Sequence, residues 1–67
     1  MKSVLKVCNM NTLEDVNIIR IAIGNNEGVV ACEVNIEKSE ISVVYDTYFL
    51  SIDNIIESIE ELGFTVL

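Results

Sequence analysis

The side chains with chemistry to offer gather in one stretch, Val7-Cys8-Asn9-Met10-Asn11-Thr12-Leu13-Glu14-Asp15, which holds a thiol, a thioether, a hydroxyl and two carboxylates. Sulfur donors suit a soft cation such as Cu(I), and oxygen donors suit a hard one. Neither set is complete here. Cys8 is the one thiol near the loop, and strand alternation turns it away from the side on which Met10 packs. Glu14 and Asp15 lack further converging oxygens and read instead as partners of the positive end of a helix dipole. Thr12 followed three residues later by Asp15 has the form of an N-terminal capping box, in which the hydroxyl takes a free backbone N–H and the carboxylate reaches back. Asn9 and Asn11 are turn formers. Asn9, Met10, Asn11, Leu13 and Glu14 thus make a candidate interaction loop, which Thr12 and Asp15 hold at the start of a helix.

The second thiol, Cys32, is far from Cys8 in sequence, and the chain has no His. Without a CxxC spacing or an imidazole, the usual structural zinc site cannot be assembled. Both cysteines read as unpaired small hydrophobes of a reducing compartment, and Cys32 as buried filler. No hydroxyl or thiol stands beside an obvious base, and no glycine-rich loop offers to cradle phosphate, so catalysis is not expected.

Sixty-seven residues with 51% apolar content and no Pro make one small globular domain, with a core of Ile and Val. A domain of that size buries only about 60% of its unfolded surface, which leaves a stability of a few kcal/mol. Eleven acidic residues against four basic ones give a net charge of −7. Phosphate backbones and anionic lipid repel such a surface, so nucleic acid and membranes are poor partners. The amino-terminal residues lack the apolar run of a signal peptide, and no stretch approaches the roughly 20 apolar residues a bilayer needs. A cytoplasmic protein is expected.

Ser3 to Cys8 alternates as a half-buried strand, with Leu5 and Val7 on one face and Val4, Lys6 and Cys8 on the other. A helix follows over about 12–24, with Val16, Ile19 and Ile23 at helical spacing and Ile18, Ile21 and Ala22 widening the stripe, so that part of this second face is expected to be exposed. Gly24-Asn25-Asn26 should stop it, since Gly and Asn accept the left-handed conformation. Cys32, Val34 and Ile36 face inward in a second strand, Glu37 to Glu40 turn, and Ile41, Val43 and Tyr45 face inward in a third, giving an antiparallel hairpin. Ser51 then caps a second helix over about 51–62, with Leu50 as a staple on Ile55. Its inner positions are Ile52, Ile55, Ile56, Ile59 and Leu62. Gly63 ends it and Phe64 to Leu67 forms a last strand. The βαββαβ order gives an α+β ferredoxin-like fold, a four-stranded antiparallel sheet with the first and third strands central and two helices on one face. The loop at Asn9 to Asp15 is expected beside the loop at Thr47 to Leu50. The sheet face with Val4, Lys6, Cys8, Glu33, Asn35, Ser42 and Val44 should be open or used for contact.

Leu5-x-Val7-x-x-Met10, the helix with Ile19 and Ile23, Gly28-Val29-x-x-Cys32-x-Val34, Val43-x-Tyr45-Asp46 and Ser51-x-x-x-Ile55-x-x-x-Ile59-x-x-x-Gly63-Phe64 together resemble the heavy-metal-associated domain of copper chaperones and metal-transporting ATPases. The resemblance covers essentially the whole chain. In that family the loop reads Gly-Met-x-Cys-x-x-Cys, and two thiolates hold a soft ion. Here Asn9 takes the glycine position, Met10 is kept, and Thr12 and Asp15 take the two cysteine positions, so the copy is degenerate where the chemistry should be. A hydroxyl and a carboxylate are poor ligands for a soft cation.

Two readings follow. In the first the domain is a protein-interaction or regulatory module related to metal handling, with no cofactor. Its protein partner would be a metal-transporting ATPase or another copy of itself. In the alternative it is a carrier or an ATPase amino-terminal domain, holding Cu or Zn weakly through Asp15, Met10 or Cys8.

Overall fold

The computed structural model describes residues 1–67. Its elements run β1 (Lys2–Cys8), α1 (Leu13–Gly24), β2 (Val29–Asn35), β3 (Glu40–Tyr45), α2 (Ile52–Glu60) and β4 (Thr65–Val66). All neighbouring strands pair antiparallel in the order β2-β3-β1-β4, which is the expected ferredoxin-like arrangement with β1 and β3 central.

The core forms because two periods converge. Period two sends Leu5, Val7, Ile41, Val43 and Tyr45 to one sheet face. Helical spacing brings Val16, Ile19 and Ile23 of α1 and Ile55 and Ile59 of α2 down onto it. Met10 and Leu50 close the cluster from the loops, and Cys32, Val34, Ile36, Ile52 and Ile56 pack at its edge. The wide apolar surface of α1 is only half used, since Ile18 and Ile21 remain exposed. No helix is long and apolar enough to cross a membrane.

Three expectations need correction. The loop at Thr47 to Leu50 is not beside the Asn9 loop. Tyr45 at the end of β3 donates to the Met1 carbonyl at 2.9 Å, so antiparallel pairing puts that loop at the opposite end of the sheet. Leu62 is not an inner position, because α2 ends at Glu60 and the short bonds from Leu62 N to Ile59 O and from Gly63 N to Glu60 O tighten the chain and swing Leu62 out. The end of α1 is not left-handed: Asn25 stays at φ −75°. The Asn26 amide caps it instead, donating to the carbonyls of Ala22 at 3.3 Å and Ile23 at 3.2 Å and to Ser58 Oγ of α2 at 3.1 Å. Ser51 is the α2 N-cap, as expected, and its N–H and hydroxyl both donate to Asn54 Oδ1, at 2.9 and 3.1 Å.

Candidate functional site: the loop before the first helix

The loop is fixed at both ends and from beneath. Val7 N donates to Ser39 O at 2.8 Å, and Cys8 lies opposite Thr65. The chain then reverses at Asn9, which adopts φ 69°, a left-handed conformation that Asn tolerates better than most side chains. Met10 follows and is buried at 4% exposure, so the thioether is an anchor in the core. The turn preceding β3 and the turn after α2 therefore flank the loop, bringing Ser39 and Phe64 to the same end. Sequence reasoning missed both neighbours, which the antiparallel strand order alone implies once the register is known.

Thr12 and Asp15 form the reciprocal capping box. Asp15 N donates to Thr12 Oγ1 at 3.1 Å, while Asp15 Oδ2 accepts from Thr12 N at 3.2 Å and from Asn11 N at 3.0 Å. The Thr12 carbonyl takes the first helical bond from Val16 N at 3.1 Å. One carboxylate oxygen thus closes two otherwise open N–H groups at the positive end of the helix. Outside this knot Asn9, Asn11, Leu13 and Glu14 point to solvent, and Leu13 is 75% exposed.

The two thiols do not converge. Cys8 is half-buried on the sheet face away from the helices, and Cys32 is half-buried on the helix side of β2. Burial pushes the Cys32 thiol pKa up, against a smaller opposite pull from the Arg20 guanidinium. No three His, Cys, Asp or Glu side chains are grouped to hold a metal, and the surface has no ligand-sized pocket. The donors at the loop are the half-buried Cys8 thiol at its start, the Thr12 hydroxyl, the Asp15 carboxylate already accepting two hydrogen bonds, and the buried Met10 thioether.

The copper chaperone CopZ of Staphylococcus aureus (strain MRSA252) is 29% identical over 66 residues, covering 98% of this chain and 97% of its own. The solved CopZ metallochaperone matches with a TM-score of 0.98 at 27% identity, with each chain covered in full. Over essentially its whole length the chain is similar to copper chaperones and heavy-metal-associated domains. A copper binding domain from HMA7, a P-type ATPase, shares this domain's fold with a TM-score of 0.93 at 27% identity, covering 98% of this chain and 89% of that one. No protein-family model matches the chain.

Proposed function

We propose that this copper-chaperone-like domain works as a protein-interaction or regulatory module related to metal handling, not as an enzyme and not as a tight carrier of a soft ion. The observation that carries the reading is the knot at the start of α1. At the positions that the family resemblance gives to ligands, Thr12 and Asp15 spend their polar atoms on each other and on the loop backbone. The loop is thereby ordered without a ligand, while Leu13 stays 75% exposed and Asn9, Asn11 and Glu14 remain free for a partner. A metal-transporting ATPase, met from the cytoplasmic side, is the class of partner that the relatives' names support, since one is a copper chaperone and another a domain of a P-type ATPase.

The reading is tested by titrating reduced protein with Cu(I), and separately with Zn(II), against a competing chelator. The chelator should retain both ions at equal concentration of protein and chelator. One-to-one capture of Cu(I) by the monomer, lost in Cys8→Ser, supports instead a carrier built on Cys8, Met10 or Asp15.

A further inference from the structure

The net charge of −7 is not spread evenly. On the sheet face turned away from the helices, the register aligns Ala31, Val44 and Lys2 in one row, Glu33, Ser42 and Val4 in the next, and Asn35, Glu40 and Lys6 in a third. Directly opposed residues share a face, so these rows form one surface. It carries two basic and two acidic side chains and is neutral. The other two basic and nine acidic residues, and with them the whole −7, lie on the helices, turns and loops. A second copy approaching through this face meets a neutral surface.

The charges on the face are also segregated. Both lysines are on β1, and both glutamates are on β2 and β3, with exposed Val4 and half-buried Val44 between them. Adjacent strands are about 4.8 Å apart and stacked sheets about 10 Å apart. A two-fold axis running parallel to the strands, between β1 and β3, lays Lys6 of one copy over Glu40 of the other and closes the symmetric pair by the same rotation. An axis across the strands would instead lay lysines over lysines. Within one copy Lys6 and Glu40 meet only loosely, at 4.0 Å, with side chains 54% and 35% exposed, so both are free to re-pair.

We propose that the open sheet face is a self-association surface for a second copy of this chain, packed sheet on sheet with strands aligned. Stable complexes bury about 800 Å² per partner. That is close to a fifth of the whole 4291 Å² surface, more than a three-row patch of side chains is expected to supply. The dimer is therefore weak and forms at high protein concentration. It needs no metal and is independent of the loop reading.

The test is sedimentation equilibrium on reduced, chelator-treated protein up to millimolar concentration, with thermal melts as a check of folding. Lys6→Glu places like charges across both symmetric contacts and should weaken dimerisation at least about tenfold. Val4→Lys should do the same through the centre of the face. The swap Lys6→Glu with Glu40→Lys should restore the native constant to within about threefold, because the pairs re-form with reversed sign. A native chain that stays monomeric at millimolar concentration, a swap that fails to restore, or association that answers to Ile21→Lys or Leu13→Lys in place of Val4→Lys would each overturn the proposal.

Discussion

Replacing Thr12 by Ala removes a single acceptor, the oxygen that Asp15 N reaches at 3.1 Å, and exposes that N–H to water at the end of an exposed turn. N-cap truncations of this kind cost about 1 kcal/mol, within a range of roughly 0.5–2. Asp15→Ala removes more, because Oδ2 accepts from both Asn11 N and Thr12 N and its charge sits in the first helical turn. Two exposed bonds to a carboxylate and the dipole contribution together set the expected loss at about 1–2 kcal/mol. The two residues are reciprocal, so the double variant should lose about 0.5 kcal/mol or more less than the sum of the singles. Urea unfolding followed by circular dichroism measures all three, with an unchanged slope showing that the native and unfolded states expose the same surface. In a domain this small each kcal/mol moves the melting temperature by about 4–8 °C. Singles within error of the native chain, or strict additivity, would refute the idea that one knot orders the loop.

Gly28 sits at φ +100°, and a Cβ there would stand 2.6 Å from Leu50 Cδ2 and 2.7 Å from Phe49 Cβ. Gly28→Ala should therefore cost about 2 kcal/mol or more by the same urea assay, combining backbone strain with overpacking. Thiol labelling should distinguish the cysteines: with its pKa raised by burial, Cys32 should react slowly at neutral pH and faster as the pH is raised, which mass spectrometry of labelled peptides reads directly. Rapid labelling of Cys32 at neutral pH would contradict its place at the core edge.

Much of the fold is legible in the residues because its determinants are local. Alternation in β1 and β3, the spacing of Val16, Ile19 and Ile23, and the Thr12-to-Asp15 interval each act within a few positions, and each is seen in the structure. What escapes depends on distant partners. The cap on α1 is Asn26 because Ser58, 32 residues away, holds its amide in place, and no window around Asn26 contains that information. Leu62 keeps the helical spacing of its predecessors but falls after the short bonds that end α2. The neighbours of the loop follow from register, which fixes Cys8 opposite Thr65 and sends the Thr47 to Leu50 segment to the far end. Even Ser39, at φ 56°, shows nothing in its own identity that demands a left-handed turn.

Helix-capping groups, Thr12 and Asp15, stand where the family resemblance places two cysteines, and the most direct measurement puts those cysteines in. Thr12→Cys with Asp15→Cys puts two thiolates on a framework otherwise kept, anchored by Met10 and by the pairing of β1. In a Cu(I) competition titration of reduced monomers, the double variant should bind one ion at least about a hundredfold more tightly than the native chain, since two thiolates replace a hydroxyl and a committed carboxylate. Equal, tight one-to-one binding by the native chain and the variant would contradict the account.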